Sequence, residues 1–287
     1  MMSVLSNSES IARLGDTDRI GHSRPARRTA WKRRTIALGS VLIALCLWQL
    51  VTTLRLQWWL SFSEIPTPVN VIVTLLGEAQ GKTFYLDIAH SLERIACGFL
   101  LAALGGVATG IGMARSVIAF DVLNPLIELV RPIPAIAMVP LAILLFPTNE
   151  QGIVAITFAA AFFPIVVSTY HAARALPLTW EDAVRTLGAS NWQVIRHVVL
   201  PGALPGIFSG FSVGMGVSWV CVISAEMISG QYGVGYRTWE AYTMVNYSGV
   251  MAGMATIGLL GWLTSTAINS IRRVMTAWLP REKSGMT

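Results

Sequence analysis

Long uncharged apolar blocks separated by short polar ones dominate this chain. A helix rises about 1.5 Å per residue, so roughly 20 apolar residues cross a hydrocarbon layer about 30 Å thick. Residues 36–54, 95–114 and 151–170 contain no Asp, Glu, Lys or Arg, and the uncharged runs 197–225 and 241–271 each hold one span with margin. Residues 122–146 are apolar but include Glu128, Arg131 and the prolines Pro125, Pro132, Pro134 and Pro140, which predicts a broken span. The pattern predicts an all-α integral membrane protein with six transmembrane helices.

Composition sharpens this picture. Of 287 residues 54% are hydrophobic and 13% charged, against roughly 25% charged in soluble domains. Of the 36 charged residues, 11 lie in 1–34 and 3 in 281–287, leaving 22 across residues 35–280, about 9% of that stretch. Arg24, Arg27, Arg28, Lys32, Arg33 and Arg34 precede the first span, Arg115 follows the second, Arg174, Arg185 and Arg196 fall between the fourth and fifth, and Arg272 and Arg273 follow the sixth. The opposite side collects Arg55, Lys82, Arg94 and Arg237, so the positive-inside rule predicts cytoplasmic N and C termini. The net charge of +6 is therefore topological, and without a Lys/Arg stripe interleaved with aromatics no nucleic-acid partner is expected. The run after the arginine pairs exceeds a signal-peptide core and has no cleavage site, so an uncleaved first span is expected. Cys46, Cys97 and Cys221, with no C-x-x-C spacing, are expected as small core residues.

Small residues recur every fourth position in two spans: Gly98, Ala102, Gly106, Gly110 and Ala114, then Gly202, Gly206, Gly210, Gly214 and Ser218. Gly249, Gly253, Gly261 and Ser265 nearly repeat the series in the last span. In lipid such faces let helix backbones approach closely, so they predict helix packing.

The longest polar stretch outside the tails, Arg174 to His197, is patterned as two capped helices. Thr179 precedes Asp182 by three residues and Ser190 precedes Gln193 by three, each resembling a capping box. Gly188 lies where the first helix must end in left-handed backbone, and Pro201 fits the first turn of the next span. The expectation is a stiff two-helix knuckle presenting Glu181, Asp182 and Arg185 to another protein.

The segment Asp182-Ala183-Val184-x3-Gly188-x9-Val198-x-Leu200-Pro201 resembles the E-A-A-x3-G-x9-I-x-L-P motif of permease subunits of bacterial ABC importers, with Asp182, Val184 and Val198 as the departures. Residues 65–71 (IPTPVNV), 91–99 (SLERIACGF), 129–141 (LVRPIPAIAMVPL), 161–165 (AFFPI), 185–190 (RTLGAS) and 199–207 (VLPGALPGI) are similar to the branch serving nitrate, sulfonate, taurine and bicarbonate importers. The resemblance implies a type I importer permease fold in the bacterial inner membrane, as a multi-pass chain working as a homodimer in membrane lipid. It implies cytoplasmic ATPase subunits docked on Glu181, Asp182, Ala183, Val184, Arg185, Gly188, Leu200 and Pro201, and a periplasmic substrate-binding protein. No cofactor is expected on this chain; ATP and Mg belong to the partner ATPase. The implied organisation is a basic, disordered tail over 1–34, a first span and periplasmic segment over 35–90, a permease core over 91–279 with its coupling loop at 174–201, and a tail over 280–287.

No chemistry of its own is expected. GEAQGKT at 77–83 falls one residue short of a phosphate loop and follows no strand; GFSVG at 210–214 fits a nucleophile elbow only formally, mid-span. The four histidines are scattered, so neither a triad nor a metal site is expected. Charges within apolar runs are costly and mark candidate path or gate residues: Glu128 and Arg131, three apart and able to pair, and Glu226, with Met138 and Ser218 beside them. Trp239, Tyr242 and Tyr247 are expected in the interfacial aromatic belt. A passive channel or structural membrane subunit, and an intramembrane enzyme acting through Ser212, are the competing classes.

Overall fold

The computed structural model describes residues 26–54 and 64–278, and every regular element among them is helical. Helix α1, Ala26–Thr53, belongs to a unit of its own. Its apolar stretch Gly39–Thr53 lies within the first expected span, 36–54. The helix also takes in residues 26–34, which no glycine or proline interrupts and in which Ala, Arg and Lys are strong helix formers. The remaining tail residues, 1–25 and 279–287, lie outside the described residues.

The second unit opens with α2, Pro68–Glu78, started by Pro68 and capped by Thr67, whose Oγ1 accepts from Asn70 N at 3.2 Å. Helix α3, Lys82–Arg115, follows, then α4, Val117–Val130, a 3-10 turn Ala135–Met138 and α5, Val139–Leu145. Helix α6 is Asn149–Arg174, α7 Leu178–Thr186 and α8 Asn191–Val194. A π-turn, Ile195–Val199, joins α8 to α9, Leu200–Ser229, before α10, Val234–Thr243, and α11, Tyr247–Met275.

Among the described residues four helical stretches are long and apolar enough to cross a membrane: α3, α6, Asn191–Ser229 and α11. The broken span is a helix pair, α4 with Ala135–Leu145, bent by 82°. Pro132 and Pro134 have no backbone N–H to continue the helix ladder, and Pro134 is extended at ψ 121, which breaks the run. The last span starts at Tyr247, inside the uncharged run from 241, where Val245 turns the chain at φ 58 and Asn246 Oδ1 accepts from Gly249 N to start α11.

The small-residue series are packing faces. A Cβ on Gly98 would lie 2.6 Å from Thr157 Cβ and one on Gly106 2.7 Å from Ile165 Cγ2, so α3 lies against α6 with backbones in near contact. Gly206, Gly210 and Gly214 of α9 meet Ala172, Ser168 and Ala161 of α6 in antiparallel order, Gly202 meets Leu176 just beyond it, and Ile165 lies against both Gly106 and Gly210. Helix α6 is thus clasped between α3 and α9, around a core that includes Ile95, Phe99, Ile165, Met215 and Trp219. Gly253 meets Thr238 in the same manner, seating α11 on α10. Cys221 is buried as expected, but Cys46 and Cys97 are exposed, since an apolar position on a spanning helix need not face the bundle.

Candidate functional site: the knuckle and the far end of the bundle

The knuckle forms by local rules with one change. Pro177, at ψ 128, turns the chain into α7 at Leu178, so Thr179 lies within the first turn and does not cap it. At the other end Gly188 adopts φ +85, Gly188 N donates to Arg185 O at 2.9 Å and Ala189 N to Val184 O at 3.3 Å. This pair of bonds is a Schellman termination, which needs a left-handed residue and so favours glycine. The Ser190 capping box is present: Gln193 N donates to Ser190 Oγ and Ser190 N to Gln193 Oε1. The chain then runs through the π-turn into α9 with Pro201 in its first turn.

The knuckle sits on Ala114, Ala173, Val194, Val199, Ala203 and Ile207, with Leu200 packed against them. Glu181 corrects the expectation of an exposed acidic cluster. It is 6% exposed and ion-pairs through Oε1 with Arg115 Nη1 at 2.5 Å, pinning the knuckle to the last residue of α3. Asp182, Ala183 and Arg185 are exposed, Arg185 donating to Asn191 Oδ1 at 2.7 Å, while Val184, Leu200 and Pro201 are half-buried. Its most exposed large side chains are apolar: Leu187 at 86%, then Leu178, Trp192 and Trp180.

The opposite end is closed by a charge network absent from the sequence reading. Arg94, 2% exposed, donates through Nε to Glu150 Oε2 at 2.7 Å, through Nη2 to Glu150 Oε1, and through Nη1 to Glu226 Oε1 at 2.9 Å and Tyr232 O at 2.6 Å. Glu226, fully buried, also accepts from Ser91 Oγ at 2.7 Å and Gly235 N at 2.8 Å. Gly233, at φ +127, lies so close to this carboxylate that a Cβ would collide with it. Nearby, Arg237 pairs with Asp87 at 3.1 Å and Glu78 at 3.3 Å, joining α10 to α3 and α2. Arg94 and Arg115 stand 21 residues apart on α3, about 31 Å, so the buried Arg94–Glu226 pair and the partly buried Arg115–Glu181 pair bracket one hydrocarbon thickness.

The candidate path residues do not gather at one point. Arg131 and Met138 line a cavity of about 420 Å³ with Pro134, Pro164, Ser168 and Val213. Glu128, which does not line it, pairs with Arg131 at 3.4 Å, both side chains about half exposed. Ser218 is buried in α9 without a hydrogen-bond partner, and Glu226 belongs to the Arg94 network. Ser212 Oγ donates to Phe208 O at 3.0 Å within its own helix. GEAQGKT spans the end of α2 and the start of α3, with a helix where a phosphate loop needs a strand.

Residues 104–279 match the family described as the binding-protein-dependent transport system inner membrane component. The chain is 32% identical over 263 residues to the taurine transport system permease protein TauC of Escherichia coli K12, covering 88% of this chain and 94% of that protein. It is 33% identical to the bicarbonate transport system permease protein CmpB of Synechococcus elongatus, over 90% and 94% of the two chains. To the nitrate import permease protein NrtB of Leptolyngbya laminosa it is 31% identical, over 68% and 70%. The fold resembles a chain of the MetNI methionine ABC transporter in an inward-facing conformation, with a TM-score of 0.58, 19% identity, and 68% of this chain and 96% of that one covered. The chain belongs to the binding-protein-dependent transport system inner membrane components and is a permease subunit of an ABC importer.

Proposed function

We propose that the chain forms, as a homodimer, the translocation path of an ATP-driven importer for a small anion or organic acid, in a bacterial inner membrane with six spans per copy. The knuckle and both termini lie in the cytoplasm and the Arg94 end faces the periplasm, where a substrate-binding protein delivers cargo. The distribution of arginines supports this orientation: Arg115, Arg174, Arg185, Arg196, Arg272 and Arg273 belong to the knuckle end. The class, a small anion or an organic acid with an anionic group, follows the nitrate and bicarbonate, and the sulfonate-bearing taurine, named for its relatives.

The observation that carries the reading is the knuckle's construction. A coupling element must be stiff, exposed and continuous with a spanning helix, and residues 178–229 meet all three needs through Gly188, the Ser190 box and the run into α9. Its projecting Leu187 and Trp192, with the neighbouring polar Asp182 and Arg185, suit an interface with an apolar centre and polar rim. ATP and Mg are held by the partner ATPase and not by this chain. Closure of paired ATPases moves the knuckles and shifts an inward-facing to outward-facing equilibrium.

The test is uptake of radiolabelled taurine, nitrate and bicarbonate into vesicles carrying this chain with its cognate ATPase and binding protein. The expected result is accumulation of one anion that requires ATP. Uptake that persists after ATP depletion favours a passive channel instead, and labelling of Ser212 by a serine-directed reagent favours an enzyme.

A further inference from the structure

The four ion-paired arginines of the described residues divide into two kinds. Arg94, Arg115 and Arg237 each tie one helix to another, through carboxylates far away in sequence. Arg131 ties nothing: its ion-pair partner, Glu128, lies one turn back at 3.4 Å, with both groups about half exposed. Such pairs contribute little to stability and exchange readily. The position of Arg131 is nonetheless fixed by its backbone. It caps α4, with N–H donating to Ile127 O at 2.8 Å, and a helix C-terminus favours a cation.

The guanidinium is the single charged group lining the cavity of about 420 Å³ between the broken span, α6 and α9; Ser168 adds the one hydroxyl and the rest is apolar. Pro134 and Pro164 are among the apolar residues of its wall. A cavity with one exchangeable cation and few polar groups binds an anion loosely enough to release it, as conduction requires.

We propose that Arg131 is the charge filter of the substrate path, receiving the anionic group of the cargo in exchange for Glu128. This rests on the small-anion reading above and assigns the selecting residue within it. Glu128 occupies the cation between passages and keeps stray anions from resting there. Met138, on the turn beyond the break, lines the same cavity.

The test uses the full chain in membrane vesicles with Cys46 and Cys97 replaced by Ser and Cys221 by Ala. Met138→Cys is then modified with the anionic sulfonatoethyl and the cationic trimethylammonioethyl methanethiosulfonate. Both reagents react at this position. Arg131→Gln lowers the anionic-to-cationic rate ratio roughly tenfold, Arg131→Lys restores most of it, and Glu128→Gln raises it above the parent value. The proposal is overturned if neither reagent modifies Met138→Cys, or if the ratio is the same in the Gln, Lys and Glu128→Gln backgrounds. A parent complex that imports none of the three anions refutes the small-anion reading; one that imports with an unchanged ratio refutes the filter alone.

Discussion

Replacing Arg94 by Met removes a buried cation while keeping most of the side-chain volume. Arg94 gives two hydrogen bonds to Glu150, one to Glu226 and one to the Tyr232 carbonyl, and so holds α3, α6, α9 and the 230–233 turn together. Its removal leaves the fully buried Glu226 carboxylate with Ser91 and Gly235 N as its remaining donors. Breaking a buried ion pair from one side costs about 3–5 kcal/mol. The Glu150 side contributes less, at most about 1 kcal/mol, because that carboxylate is half exposed. A loss of this size lowers the thermal midpoint in detergent by on the order of 10 °C, read by tryptophan fluorescence. Glu226→Gln in the Arg94→Met background removes the stranded charge and recovers more than half the loss. An Arg94→Met chain as stable as the parent, or a double variant no better than the single one, would refute the claim that this network locks the far end.

Three further outcomes follow from the same geometry. Gly98→Ala places a Cβ 2.6 Å from Thr157 Cβ and 2.9 Å from Val154 O, and lowers stability by about 1–3 kcal/mol, whereas Gly216→Ala meets nothing within 4 Å and leaves the thermal midpoint unchanged or raised. Gly188→Val also meets no atom within 4 Å, so its cost is backbone strain alone at φ +85, about 1–2 kcal/mol; membrane insertion by protease protection stays intact while ATP-dependent uptake is lost. Ser190→Ala removes the capping box, costs about 1 kcal/mol and speeds amide hydrogen exchange in α8 ahead of the rest of the knuckle.

Features governed by local chemistry were legible in the sequence. The four-residue spacing from Gly98 to Gly110 and from Gly202 to Gly214 marked the two faces that clasp α6, and Gly188 and Ser190 marked the turn and cap of the knuckle. Features set by distant partners were not. Glu181 read as exposed because its neighbours are polar, yet Arg115, 66 residues earlier, buries it. Arg94 read as a flanking cation, although the uncharged run around Glu226 required a partner, and the glycines of ISGQYGVG at 228–235 signalled close backbone approach to that carboxylate. Thr179 failed as a cap because Pro177 begins the helix ahead of it. The turn that starts the last span at Tyr247 came from Val245, a residue type that gives no warning of left-handed backbone.

The central claim is that the knuckle is where the ATPase engages this chain. Leu187, 86% exposed at its tip, and Leu144, 85% exposed on α5 in the broken span, offer matched positions for single cysteines in a chain lacking Cys46, Cys97 and Cys221. After co-expression with the cognate ATPase and treatment with a short maleimide–succinimidyl ester, which joins the new thiol to a lysine amine, Leu187→Cys should give an adduct with the ATPase whose yield changes on adding ATP, and Leu144→Cys should give none. An ATPase adduct from Leu144→Cys with none from Leu187→Cys would contradict the account.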